Sequence, residues 1–356
     1  MVRGEAITTA GSGDVIEALL RSDEPSIRWK TRVGVLGEDP ISTPIRALQD
    51  QIVDSPRVRT LLARRDADGR LHAGPDVYAK WQGAHWVLAT LADLGCPAGD
   101  ASFAPMRDQL LDAWLAPFYF REVEVARRAE VYRHDAVPLM CGRYRRCASQ
   151  HGNALLSIVR LGLIDERTSG LVERLLHWQW PDGGWNCAKE PTADTSSFME
   201  TLLPMRALAA WARTTGDPEA RKAAERAAEV FLERWLFRRR SDHRIIWTEF
   251  TKLHYPLYWH YDILGGLRGM AELGKLDDPR CAEALDLLVS KRLPDGGWPA
   301  EARYYRVSPD VAQGNDSVDW GGTSIHKMNP WVTVDALAVL VAAGRIEVDR
   351  AVATSA

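Results

Sequence analysis

The sequence predicts an all-α protein folded as an (α/α)6 toroid, a ring of about six helical hairpins with inner and outer helices. Three observations carry that prediction. A short segment occurs twice, as Trp180-Pro181-Asp182-Gly183-Gly184-Trp185 and Leu293-Pro294-Asp295-Gly296-Gly297-Trp298, 113 positions apart. Repetition at long period decides architecture ahead of local propensity. Helix starts and stops are marked throughout. The helical stretches alternate between two kinds, one apolar on most sides and one with a single apolar stripe. A helix apolar all round is buried on all sides, and a striped helix covers the outside.

Taken in order, the first inner helix is Ile27–Leu36. The outer stretch Ile45–Arg64 follows, opened by Thr43-Pro44 and reopened by Ser55-Pro56. An N-cap oxygen takes an orphan N–H, and Pro at the first helical position has none to orphan. Inner Trp86–Leu94 stops at Gly95, and outer Met106–Leu115 comes next. A long connection with strand-like alternation near Tyr119–Val125 leads to inner Ala154–Leu163, stopped near Leu161-Gly162. Outer Thr168–Trp178 enters the first repeated turn. Inner Thr201–Trp211 and outer Pro218–Trp235, started by Asp217-Pro218, follow, with a strand-like patch at Arg244–Trp247. Inner Ile263–Leu273 stops at Gly274; outer Arg280–Lys291 starts at Asp278-Pro279 and enters the second turn. Asn329-Pro330 opens inner Val332–Ala342, stopped at Gly344. Glycine after an apolar-periodic run supplies the left-handed C-terminal position. Turns from outer to next inner helix fall near Gly69, Arg133, Gly184, Ile246 and Gly297, a unit of about 50–65 residues. The expected division is a flexible N-terminal segment over 1–24, one toroid domain over 25–346 and a tail over 347–356.

Composition excludes several functions. The 356 residues balance 45 Lys+Arg against 48 Asp+Glu, so no global field attracts nucleic acid. Five Cys without metal-type spacing predict reduced thiols and a cytoplasmic location. No signal-peptide core and no span of roughly 18–20 apolar residues occurs; peripheral membrane contact and oligomeric state stay open. Fourteen Trp in a helical chain mean inter-helix anchors or an aromatic-lined cavity. No phosphate loop or dinucleotide fingerprint is present.

The Pro-Asp-Gly-Gly-Trp turns that feed inner helices resemble the repeats of terpenoid cyclases and protein prenyltransferases, the α/α-toroid superfamily. Trp178 to Trp185 is similar to the Gln–Trp repeat of that superfamily, with Gln179 before Gly-Gly-Trp. The second copy has Lys291-Arg292-Leu293 there. His254 to Asp262, Lys291 to Trp298 and Trp320 to Leu337 further resemble short bacterial squalene-cyclase-like, or prenyltransferase-like, proteins. The resemblance covers roughly residues 25–345 and implies the ring fold and an isoprenoid or similar apolar ligand. The chain departs from that family at its reactive motifs. Asp-x-Asp-Asp, Asp-Asp-x-x-Asp and Asp-x-Cys are all absent, so no cofactor or metal is expected. A Cys/His site from Cys147, His151 and a distant His or Asp is the alternative.

Chemistry in such a ring belongs at the N-terminal ends of the inner helices, which carry free N–H groups and partial positive charge. Six of the nine His lie in or near polar-aromatic clusters there: 85, 151, 254, 260, 326 and, more loosely, 134. The candidate catalytic residues are Asp194, His151, His260 and Asp262. The candidate binding residues are Trp81, His85, Arg143, Tyr144, Tyr258, Trp259, His326 and Trp331. Each has a plainer reading. Ser197 and Glu200 fit a capping box, and Asp194 suits a cap or the cavity. Tyr258 and Asp262 would share a helix side. His151 suits a cap. Asp182 and Asp295 read as turn formers, and Trp185 and Trp298 as anchors between layers. The Arg stretch from Arg127 and Arg128 through Arg133, Arg143, Arg145 and Arg146 suits an anion at the mouth or a solvated loop.

Three functions compete. The first is an enzyme acting on an isoprenoid, with Asp194 as the buried acid and aromatic faces stabilising a cation. The second is a carbohydrate-active lyase or hydrolase using His151, His260, Tyr258 and Arg143. The third is a non-catalytic toroid that binds a lipid or a protein.

Overall fold

The computed structural model describes residues 12–72 and 76–348. Its helices are α1 (Ser12–Leu20), α2 (Pro25–Lys30), α3 (Thr43–Val53), α4 (Pro56–Leu62), α5 (Ala84–Leu94), α6 (Ala104–Trp114) and α7 (Arg128–Val131) in the first part. Then come α8 (Ala148–Arg160), α9 (Ser169–Trp178), α10 (Phe198–Thr215), α11 (Pro218–Leu232), α12 (Ile263–Glu272), α13 (Ala282–Ser290) and α14 (Pro330–Ala342). A π-helical turn, Thr31–Val35, continues α2.

Helix contacts close the ring. Around it, α2 packs on α5, α5 on α8, α8 on α10, α10 on α12, α12 on α14, and α14 returns to α2 and its π-turn. Those six are the inner layer. Outside them, α3 packs on α2, α6 on α5, α9 on α8, α11 on α10 and α13 on α12. The fold is thus an all-α toroid of the predicted type. Helix α1 also packs on α2 and the π-turn, with Val15, Ile16 and Leu19 buried. Part of the segment expected to be flexible therefore belongs to the jacket. Residues 1–11 and 349–356 lie outside the described residues.

The strand-like patches become small structures in the loops. β1 (Glu122–Glu124) pairs parallel with β2 (Val137–Met140), which pairs antiparallel with β3 (Arg143–Tyr144). β4 (Arg306–Val307) pairs with β5 (Asn315–Asp316). The Arg244–Trp247 patch contributes only an isolated bridge, Arg238 to Ile245. No helix among the described residues is long and apolar enough to cross a membrane.

The two repeated turns are built by the same bonds. Gly184 O accepts from the Trp180 N–H at 2.8 Å, and Gly297 O from the Leu293 N–H at 2.8 Å. The Trp185 indole donates to Leu175 O at 3.0 Å, and the Trp298 indole to Leu288 O at 2.7 Å. Thr201 and Thr333 hydroxyls accept from the Trp185 and Trp298 backbone N–H groups at 3.2 and 2.9 Å. Gln179 donates to Gly183 O at 2.6 Å, and Arg292, which replaces it, donates to Gly296 O at 3.0 Å. Both Trp are fully buried between the layers, as anchors must be. Asp295 stays within its turn, accepting from Gly297 N–H at 3.0 Å. Asp182 instead reaches out to Ser196, whose N–H and hydroxyl donate to it at 2.7 and 2.6 Å.

Candidate functional site

The ring axis is crossed by a girdle of charge. Lys30 on α2 bonds Asp93 on α5 at 2.7 Å and Asp335 on α14 at 3.3 Å. Arg268 on α12 bonds the same two carboxylates, at 2.9 and 2.6 Å. Those four groups alternate in sign and close on themselves. Beside them Glu272 of α12 accepts from Arg160 of α8 at 2.6 Å and from Arg206 of α10 at 2.8 and 2.7 Å. Every inner helix contributes at least one member. Four cations face three carboxylates, so the girdle carries one excess positive charge. The Tyr255 hydroxyl donates to Asp93 at 3.0 Å.

Burial alone would raise the Asp93 carboxyl, but Lys30 and Arg268 more than reverse that and hold it well below the usual range. Glu272 is likewise brought down to about 2, where burial is outweighed by Arg206 and Arg160. Burial lowers Arg160 to about 10, which leaves it charged at neutral pH. Unpaired, these charges would not survive in such helices.

The girdle separates two spaces. Toward the inner-helix N-termini lies a narrow cavity of about 100 Å³, lined by Trp86, Asn153, Leu203, His254, Tyr258 and Asp262 among others. Toward the C-termini lies a cavity of about 870 Å³. Its walls include Trp29, Val33, Ile41, Val334, Ala338, Val339 and Ala342, with Arg46, Gln49 and Asp50 to one side, and the girdle residues Lys30, Asp93, Arg160, Arg268, Glu272 and Asp335 form its floor. That size falls in the usual range for small-molecule sites, about 300–1,000 Å³.

The residues named from sequence scatter around the upper face. Asp262 caps α12: it accepts from Gly265 N–H at 2.7 Å and from His254 N–H at 2.9 Å. It does line the upper cavity. Tyr258 precedes the helix, so the expected shared helix side does not form; its hydroxyl donates to Asp316 instead. Tyr258 stacks on Trp81 at 3.8 Å, and Trp81 donates its indole N–H to Tyr304 O at 2.9 Å. His260 is held in a stack, 3.3 Å from Tyr304 and 4.0 Å from Trp259, and burial lowers it to about 3. Asp316 is raised above the ordinary carboxyl value, chiefly by burial.

Others are away from the axis. Asp194 is exposed on the loop before α10 and lines neither cavity, so it is not the buried acid expected. His151 is buried between layers, donating to Trp114 O at 2.9 Å with its edge against Tyr119 and Trp178. His85 is buried too. The Trp114 indole donates to its Nδ1 at 3.1 Å, so its proton sits on Nε2, and the Asn153 amide 3.0 Å away accepts it with its oxygen turned to the ring. Burial takes His85 down to about 3. Arg143 lies over Trp180 at 5.7 Å, and Tyr144 donates to Glu122 at 2.9 Å, both on the outer side. His326 is exposed. Trp331 is buried against Tyr255, ring centres 5.0 Å apart. The Arg stretch is no single patch: Arg127, Arg128 and Arg133 are exposed, whereas Arg145 is fully buried over Trp180 at 4.7 Å. His151, His260, Tyr258 and Arg143 therefore do not converge on one cavity, as a lyase would require.

A third cluster lies at the start of α8 and α10. The Cys147 Sγ, Cys187 Sγ and a Glu200 carboxylate oxygen lie within 4.8 Å of one another. Glu200 does not close the expected capping box with Ser197; it accepts from Ser149 N–H at 3.0 Å and from the Cys187 thiol at 3.2 Å. The neighbouring Cys187 sulfur pulls the Cys147 thiol down, and the Cys147 sulfur, then burial, pushes the Cys187 thiol up. His151 is not part of this cluster.

No protein-family model matches the chain, and no curated protein sequence matches it. Solved structures do. A type II terpene cyclase from Scytonema, MstE, in complex with merosterolic acid A, matches over 95% of this chain and 96% of its own. The identity is 16% and the TM-score 0.43. MstE in complex with geranylgeranyl dihydroxybenzoate matches over the same shares at 15% identity and TM-score 0.43. A protein from Actinoplanes matches over 94% of this chain and 99% of its own, at 18% identity and TM-score 0.44. Type II terpene cyclases are among the groups the repeat resembled. The ring closure itself rests on the helix contacts, and fold and site together define an (α/α)6 toroid divided by a charged girdle.

Proposed function

We propose that this protein binds an apolar, isoprenoid-like molecule in the cavity of about 870 Å³, with the molecule's polar end on the girdle. That cavity, with largely apolar walls and a floor of paired charges, is the observation that carries the reading. Apolar wall surface that a ligand covers supplies affinity through water release. The guanidinium and ammonium donors of the floor, Arg160, Arg268 and Lys30, suit an oxygen-rich end group.

Binding fits the girdle better than turnover. A general acid must hold a proton near neutral pH. Asp93 and Glu272 are kept ionised by their cations, so neither can protonate an alkene. A second reading, an enzyme, is favoured by one observation. Asp316 has a raised carboxyl and is joined to Tyr258, which lines the upper cavity. In that reading the acid is the Tyr258–Asp316 pair.

Native mass spectrometry tests both. Protein incubated with geranylgeraniol or geranylgeranyl phosphate should carry one molecule per chain. Ala338→Trp, which fills the cavity wall, should carry none while remaining folded. Failure of the wild-type protein to bind any prenyl alcohol or prenyl phosphate would sink the proposal. Chromatography of the extracted ligand separates the readings: unchanged ligand supports binding, and a rearranged product that Tyr258→Phe no longer yields supports the enzyme.

A further inference from the structure

We propose that Cys147, Cys187 and Glu200 form a site for a soft divalent cation of the zinc class. The three ligand atoms come from three chain segments and lie within 4.8 Å of one another. Around a tetrahedral zinc, with Zn–S about 2.3 Å and Zn–O about 2.0–2.2 Å, such atoms stand about 3.5–3.8 Å apart. The cluster therefore needs to close by about 1 Å at most, within side-chain rotation.

The segments are pinned to each other before any ion arrives. Arg145 and Asn186 form a parallel bridge that sets Cys147 beside Cys187. Trp185 O accepts from Ser197 N–H at 2.9 Å, which ties the Cys187 strand to the start of α10. Ser149 N–H holds one Glu200 oxygen at 3.0 Å and leaves the other facing the thiols. The carboxylate is buried, and both cysteines are half-buried and reachable from solvent.

Chemistry selects the ion. Two sulfurs favour zinc or its soft neighbours and exclude calcium and magnesium, which want oxygen. Binding converts both thiols to thiolates and releases their two protons to solvent. Two thiolates and a carboxylate leave a dication with one net negative charge. Lys189, whose ammonium bonds Arg145 O at 2.7 Å, stands beside the cluster to balance it. Three protein ligands leave a fourth position for water or a substrate atom, the arrangement of a reactive metal rather than a closed structural one.

The second repeat shows that the scaffold does not demand these residues. There Ala300 follows Trp298 as Cys187 follows Trp185, and Val332 precedes Thr333 as Glu200 precedes Thr201. The proposal does not rest on the ligand reading above, because the cluster lines neither axial cavity.

The test is a cobalt(II) titration of chelator-treated, reduced full-length protein. One equivalent should produce a thiolate-to-cobalt charge-transfer band, and zinc should abolish it. Glu200→Gln keeps the side chain's size, and Cys187→Ser alters an accessible loop residue; each should weaken cobalt binding more than about tenfold while leaving the helical circular dichroism unchanged. No band in the wild-type protein overturns the proposal. A band of undiminished affinity in Cys187→Ser also overturns it. So does an air-formed Cys147–Cys187 disulfide whose reduction restores no metal binding.

Discussion

Replacing Arg268 by Met tests whether the girdle is a closed electrostatic unit. The guanidinium holds Asp335 at 2.6 Å and Asp93 at 2.9 Å. Without it, both carboxylates depend on Lys30, with Tyr255 helping only Asp93. Removing one partner of a buried pair costs about 3–5 kcal/mol. Arg268 faces the cavities with 24% of its side chain, so the lower end, about 3 kcal/mol, applies. At about 2.1 cal/mol/K per residue, 356 residues unfold with about 0.75 kcal/mol/K, and Tm should fall by about 4 °C. The pH dependence has a definite sign. A carboxyl held low in the folded state adds stability above its unfolded value, about 3.9, and loses it as pH falls through the folded value. Asp93 is such a group, and losing Arg268 raises it. The gap between variant and wild type should thus be full near pH 7 and narrow on acidification. Adding Asp93→Asn should recover part of the loss, because Lys30 then serves Asp335 alone. Calorimetry at several pH values reads all three effects. A fall under about 1 °C at pH 7, or a gap that does not change with pH, would refute the closed unit.

Two further outcomes follow from the packing. A Cβ on Gly152 would lie 2.4 Å from the Pro204 nitrogen, where α8 crosses α10; Gly152→Ala should therefore cost about 3 kcal/mol, the upper end for overpacking, because backbone must move. An unchanged urea midpoint would show that the crossing is loose. His85 is held neutral by burial, at about 3 in the folded state. An unfolded His takes its proton near pH 6.5, so stability is full above that value and falls by about 1.4 kcal/mol per unit as pH drops toward 3. His85→Gln should flatten the stability–pH slope by that amount between pH 6 and 4; an equal slope in both proteins contradicts it.

The ring was legible because its signals are local and repeated. Asp217-Pro218 and Asn329-Pro330 begin helices where expected, and both Asp217 and Asn329 side chains accept the predicted backbone N–H bonds. The site was less legible because histidines and aromatics at helix starts serve two masters. His151 and His85 satisfy inter-layer packing, and sequence alone does not tell an imidazole bonded to a carbonyl from one facing a cavity. The girdle was overlooked although its signal was present. Asp93, Arg268 and Asp335 each interrupt a helix read as apolar on most sides. A charge in such a helix must have a partner. Three of them on inner helices, with Lys30, already implied an ion-pair cluster on the axis.

Separating scaffold from site is what the repeat does best. Residues that match in both copies, such as Trp185 with Trp298 and Thr201 with Thr333, make the same hydrogen bonds and so are held by the fold. Positions with the same geometry but different chemistry are free of that demand. Cys187 against Ala300 and Glu200 against Val332 are two such positions, and in the first copy the two side chains touch. There a thiol and a buried carboxylate are in contact, with a second thiol brought to them by the Arg145–Asn186 bridge. One oxygen of that carboxylate caps the first turn of α8 through Ser149 N–H, and the other faces the thiols. The cap accounts for one oxygen; the second oxygen and the two thiols are the atoms the proposed ion would take.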